Sequence, residues 1–294
     1  MPFVDGFTVN EVSGLRSPVV IMAFTGWSDT GTVTTDLATR LIEAYDAERF
    51  LSVDPEDYYV FTDSRPHVRI DEDNSRKLDW PENEGFTARL SGNEHDLVIV
   101  RGIEPNLRWR TFSERLSDAV WKLQPSLVCT LVARPAATPH TRPVPVTGSS
   151  ADPRLASKFG LGRSLYQGPT GILGVLHDAL RRRGADLISL AAGVPHYLNV
   201  EENPAATMAL LKALEPVIGV APPLGDLEDE IVRFTSRVEE ASSGDGQIAE
   251  YVRTLEEHYG EGLQASADEP AEDLPSADDI LRDVEDFLRG GNDT

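Results

Sequence analysis

Apolar residues gather in four short runs, and each run hands over to a loop of glycine and polar groups. Val19–Phe24 leads into Gly26, Trp27, Ser28 and Asp29, and Leu97–Val100 leads into Arg101, Gly102, Ile103, Glu104 and Pro105. Leu127–Val132 runs on to Pro139, His140, Thr141 and Arg142, and Leu187–Leu190 to Pro195, His196 and Tyr197. Runs of this length, without alternation, predict strands buried on both faces of a parallel sheet. If the four are parallel, their exit loops share one rim, where α/β sheets hold their ligands.

Between these runs the apolar period changes to that of helices. Val33, Leu37, Leu41 and Tyr45 form one face of a helix that starts near Ser28. A strand is predicted at Phe50–Val53 and a helix over Phe112–Leu123. Residues 65–90 read as an antiparallel excursion, with Val68 and Ile70 alternating, a turn at Asp71–Asn74, and returns at Leu78–Trp80 and Phe86–Leu90. Arg142–Gly148 carries two prolines and fits only an edge strand or a loop. Pro169 and Gly184 bracket a helix with a stripe of Ile172, Val175, Leu176, Ala179 and Leu180. Another helix opens at Asn203–Pro204 and is expected to close at Pro216.

Beyond Pro222–Pro223 only helical periods remain. Leu227, Ile231, Phe234 and Val238 form one seam, and Ile248, Val252, Leu255 and Tyr259 form another beyond Gly244–Gly246, which predicts an αα-hairpin packed on the core or an oligomer. Residues 260–294 hold 11 acidic and 2 basic side chains. Their first part reads as a linker. Ser276 and Asp279 then resemble a capping box ahead of a short amphipathic helix, with Ile280, Leu281, Val284, Phe287 and Leu288 as a partner-binding face or a face that docks in cis. The pattern divides the chain into an α/β core (1–222), a helical hairpin (223–259) and an acidic linker with its helix (260–294).

A formal charge of −22 over 294 residues argues against nucleic acid as a partner. The one basic run, Arg181–Arg183, ends a helix, where cations complement the dipole. Cys129 lies in an apolar run and reads as a buried thiol, and His177 reads as structural. No apolar stretch reaches the ~20 residues of a membrane span, and Met1–Glu11 has no signal-peptide pattern, so a cytoplasmic protein is expected.

The familiar phosphate-loop, dinucleotide, zinc-protease, serine-hydrolase and C-x-x-C motifs are absent from the sequence. No metal or cofactor is expected. The catalytic candidates are His140 and His196, each following a proline at a strand exit, with Glu104 and Asp29 as orienting carboxylates. The ligand-binding candidates are Gly26, Trp27, Arg142, Gly168, Thr170 and Gly171. Gly168-Pro169-Thr170-Gly171 either seats an anion on backbone N–H groups or simply permits a tight turn into the helix.

Six short motifs occur in an order that resembles the bacterial and archaeal branch of the proteasome assembly chaperone 2 family. They are Gly26-Trp27-Ser28-Asp29, Thr62–Pro66, Arg101–Trp109, Pro139–Pro143, Gly168–Ile172 and Val194–Tyr197, and the likeness spans about Val19 to Pro216. The arginine-rich composition and acidic extension are similar to actinobacterial members. The resemblance implies a three-layer αβα sandwich similar to purine nucleoside phosphorylases, with homo-oligomers, for instance trimers. It also implies a non-enzymatic role in complex assembly, with proteasome α-subunits as candidate partners. The docking tail of the eukaryotic relatives, a hydrophobic residue, tyrosine and one more residue, has no counterpart in Gly290–Thr294. A small-molecule enzyme or ligand-binding protein, phosphorylase- or hydrolase-like and working at the rim, is the alternative.

Overall fold

The computed structural model describes residues 6–259, except Glu72, Asn199, Gly244 and Asp245. The chain runs β1 (Phe7–Val9), β2 (Val19–Thr25), α1 (Val33–Ala44), β3 (Glu48–Val53), β4 (His67–Ile70), β5 (Arg76–Asp79), β6 (Asn83–Ala88) and β7 (Leu97–Ile103). It continues through α2 (Trp109–Trp121), β8 (Leu127–Ala136), β9 (Val146–Ser149), α3 (Pro153–Phe159), α4 (Ile172–Arg182), β10 (Leu187–Pro195), α5 (Pro204–Ile218), α6 (Leu227–Ser243) and α7 (Gly246–Glu257).

Strand β2 shows why the layers form. Its residues alternate between two cores: Val19, Ile21 and Ala23 face α1 and α5, while Val20, Met22 and Phe24 face α2 and α4. Helices on both faces of one sheet give the three-layer α/β architecture. The sheet has eight strands in the order β1-β3-β6-β7-β2-β8-β10-β9. The four apolar runs are its adjacent centre, β7-β2-β8-β10, and all three pairings between them are parallel. Pairing between β3 and β6, and between β6 and β7, is antiparallel, so β3 points the same way as the central four. Five strands therefore end on one rim.

Helix α6 packs on α5. Arg40 of α1 fastens it by ion pairs to Asp226 at 3.1 Å and Glu230 at 2.6 Å. The basic run at the end of α4 is engaged locally: Arg182 meets Glu114 and Asp178, and Arg183 meets Glu114 and Asp118. Cys129 is buried, and burial pushes its thiol up. Among the described residues no helix is long and apolar enough to cross a membrane.

Several boundaries differ from expectation, each for a local reason. The first helix starts at Val33 rather than near Ser28, because Gly26–Thr32 makes a turn with Gly31 and Thr32 at positive φ. Helix α4 starts at Ile172, not Pro169, because Gly171 is its extended N-cap. Helix α5 runs through Pro216 to Ile218 and stops at Gly219 (φ 76°), because a proline in the last turn forfeits a single bond. Sequence patterning misses β1 and α3. The excursion splits in two: β6 joins the main sheet, while β4 and β5 pair only with each other in a separate two-stranded sheet.

Candidate interaction rim

The two candidate carboxylates are both held by the chain's own donors. Asp29 is buried; its Oδ1 accepts the Thr34 N–H at 2.6 Å and the Thr34 hydroxyl at 2.7 Å, and its Oδ2 accepts the Thr35 hydroxyl at 2.5 Å. Burial raises its pKa above the usual carboxylate range, and the two threonines work against that shift. The side chain thus serves the first turn of α1, satisfying an N–H that the helix itself leaves open. Glu104, just past β7, reaches the start of α4, where its Oε2 accepts the Ile172 N–H at 2.8 Å.

Glycines make the Glu104 contact possible. A Cβ on Gly171 would stand 2.8 Å from Glu104 Oε2, and one on Gly26 (φ 135°) would stand 2.9 Å from Glu104 Cβ. Gly168, Thr170 and Gly171 therefore surround a helix start already served by an internal carboxylate. Trp27, beside them, is 54% exposed.

The histidines lie at the exits of β8 and β10, which are paired neighbours. Tyr197 joins them: its hydroxyl accepts the His140 backbone N–H at 2.7 Å and lies 2.7 Å from His140 Nδ1. His196 Nδ1 donates to the Ala136 carbonyl at 2.9 Å, and its Nε2 faces the Tyr251 hydroxyl at 3.1 Å. Edge-on ring contacts complete the cluster, with centroids 5.6 Å apart for His196 and Tyr251 and 5.9 Å for His140 and Tyr197. Burial lowers the pKa of His140, with Glu239 and Glu256 opposing, and pushes the Tyr197 phenol up to about 12.

Tyr251 belongs to α7, so the hairpin arches over this half of the rim. Its Glu256 accepts the Thr141 hydroxyl and lies 4.0 Å from Arg142, and Tyr259 donates to the Pro143 carbonyl at 2.7 Å. Sequence reasoning found the hairpin but not this contact. Tyr251 lies off the apolar seam, and its partner His196 is 55 residues away. Between the β10 exit loop and the hairpin lies a cleft of about 520 Å³, lined by Tyr197, Leu198, Glu202, Phe234, Arg237 and Ile248 among others.

The structure thus forms two groups from the predicted residues. Asp29 and Glu104, with Gly26 and Gly171, order two helix starts; His196 and Arg142 meet α7, and His140 joins them through Tyr197. Ile280, Leu281, Val284, Phe287 and Leu288 lie outside the described residues. Among the described residues no three His, Cys, Asp or Glu side chains gather as a metal site.

These features define a three-layer α/β protein whose strand-end rim is ordered on one side by its own capping carboxylates and arched over on the other by its own hairpin. The PAC2 family profile matches residues 23–242, so the chain belongs to the PAC2 family. It is similar to a PAC2 family protein from Streptomyces avermitilis, with 42% identity and a TM-score of 0.73 over 80% of this chain and 99% of that one. It is also similar to a proteasome-assembly chaperone homologue from Mycobacterium tuberculosis, with 39% identity and a TM-score of 0.71 over 80% and 99%. An archaeal proteasome activator from Pyrococcus furiosus, 17% identical with a TM-score of 0.61 over 80% and 97%, shares the fold. No curated protein sequence matches the chain.

Proposed function

We propose that this chain is a proteasome-assembly-chaperone-like protein that acts by binding other proteins and not by catalysis. One observation carries the reading. The groups at the rim best suited to chemistry are engaged within the chain: Asp29 and Glu104 on helix N–H groups, and His196 between Ala136 and Tyr251. The likeness to the mycobacterial proteasome-assembly chaperone homologue supports the direction of the reading. Proteasome α-subunits are the partner we propose, with residues 280–288 as an added contact. Native affinity purification from the source cell, with and without residues 260–294, tests this. Stoichiometric α-subunits with the full chain support it; a preparation free of them overturns it.

A second reading, small-molecule binding, is favoured by the cleft of about 520 Å³ beside Tyr197. Its size and mixed lining are those of a metabolite site. Ligand-induced shifts of melting temperature across a metabolite set, absent in Phe234→Asp, would support it.

A further inference from the structure

Thr8, Ser52, Glu84 and Arg101 stand opposite one another in register on β1, β3, β6 and β7. Directly paired residues point to the same side of a sheet, so the four form one polar row. The row lies on the face that α1 and α5 cover further in, since Arg101 is paired with Ala23 of that core. Its inner end is tied down. Arg101 donates to the Thr39 hydroxyl of α1 at 2.9 Å and to Glu84 at 3.0 Å, and Arg49 donates to the other Glu84 oxygen at 2.9 Å. Its outer end is open: Thr8 and Ser52 are half-buried, and among the described residues neither hydroxyl has a hydrogen-bond partner.

A cavity of about 380 Å³ lies over this outer end, within the roughly 300–1,000 Å³ of small-molecule sites. Thr8, Ser52 and Arg49 line it together with Asp54, Glu82 and Trp80. Trp80 is 43% exposed and packs edge-on with Phe61, ring centroids 5.0 Å apart, so its indole is held at the cavity wall. Apart from the indole, the apolar lining is only Val53, itself buried, and Pro55. No residue of the cleft beside Tyr197 takes part, so this site stands whether or not the proteasome reading holds.

We infer that the cavity binds a neutral polyhydroxylated ligand, a mono- or disaccharide. Its polar groups match such a molecule in kind. Asp54 and Glu82 accept hydrogen bonds, Arg49 donates and has N–H groups beyond the one on Glu84, and the two hydroxyls do both. Sugar hydroxyls also do both, and the C–H face of a sugar ring is suited to lie on an indole. Charge disfavours the other classes. An anion would meet Asp54, Glu56 and Glu82, and burial with nearby Glu84 already pushes the Glu82 carboxyl above its usual range. A cation would be opposed by Arg49 and would leave the hydroxyl donors unused. An apolar ligand would bury the polar row without partners.

Saturation-transfer NMR with glucose, maltose and lactose at about 10 mM tests this on the full chain, with affinities taken from titration. The expected result is transfer to the C–H protons of at least one sugar, with affinity at least about tenfold weaker in Trp80→Ala and in Ser52→Leu. Glu82→Gln keeps the shape of the cavity and should weaken binding severalfold. Circular dichroism melts verify that the variants fold, and Phe234→Asp, in the cleft beside Tyr197, should leave sugar binding unchanged. Absence of transfer to all three sugars overturns the inference. So does transfer that persists at wild-type strength in both Trp80→Ala and Ser52→Leu, or that is lost in Phe234→Asp. Binding of spermidine that depends on Trp80, in place of any sugar, would identify a cation site and also overturn it.

Discussion

Glu104 Oε2 accepts the backbone N–H of Ile172 at 2.8 Å, tying the exit of β7 to the first turn of α4 across 68 residues of sequence. A carboxylate at a helix N-terminus satisfies an open donor and faces the positive end of the dipole. Glu104→Ala is expected to lower stability by about 1–2 kcal/mol. Gly171→Ala sets a methyl group against the same oxygen and should lower it similarly. Urea denaturation of both variants and of the double variant checks this; the double should cost less than the two singles together, because they remove one contact.

Gly102→Ala is expected to be worse. A Cβ there would overlap Oδ1 of buried Asn83, which accepts the Ile103 N–H at 3.0 Å while its amide meets the Tyr59 hydroxyl. Tyr59 in turn donates to the Ile103 carbonyl at 2.6 Å. Displacing Asn83 strands several buried polar groups, at about 3 kcal/mol or more. The melting temperature of Gly102→Ala should fall further than that of Gly171→Ala.

His177 should give the protein an acid-sensitive fold. It is held against Thr130, with Nε2 and Oγ1 2.9 Å apart, and burial pushes its pKa down to about 4. An unfolded histidine takes up its proton near 6.5, so between pH 6.5 and 4 the unfolded chain binds more protons. Stability is complete above pH 6.5 and declines as pH falls through that window, by up to about 3 kcal/mol. Urea midpoints at pH 7 and pH 4.5 measure the decline, and His177→Gln should shrink it.

The hold of α7 on the rim should be separable from the fold. Tyr251→Phe keeps the ring against His196 and Tyr197 but removes the hydroxyl near His196 Nε2. Global stability should change by less than about 1 kcal/mol. Hydrogen exchange across α7 should accelerate while β2 and β8 stay protected, and Glu256→Gln should add to the effect. Unchanged exchange in α7 would show that the Tyr251 hydroxyl does not hold the helix, leaving Val252, Leu255 and the Glu256 and Tyr259 contacts to seat it.

The central strands are legible because Val19–Phe24 and Leu97–Val100 are apolar throughout and the other two runs are broken only by Thr130 and Ser189, a short-run pattern that suits strands covered on both faces. The roles of Asp29 and Glu104 were hidden in different ways. Asp29 serves a helix five residues on, but the turn at Gly31 shifts that helix from where Ser28 places it. Glu104 serves a helix 68 residues away, and no local pattern encodes such a reach. The histidines were found by their prolines, yet their surroundings depend on Tyr251, a residue whose own helix gives no sign of where it lands. Val68, Ile70 and Leu78 read as a strand pair, but alternation alone does not reveal that no third strand follows.

Because β1 runs antiparallel to β3, the described chain starts at the rim: Gly6 accepts the Asp54 N–H at 2.8 Å. It also leaves there, at Tyr259 beside Pro143. A purification handle on the amino-terminal side is thus anchored next to the surfaces that matter here, and one fused after Tyr259 would crowd them equally. The turn around Lys122–Pro125, at the opposite end of the sheet, is the place to grip this molecule without touching them.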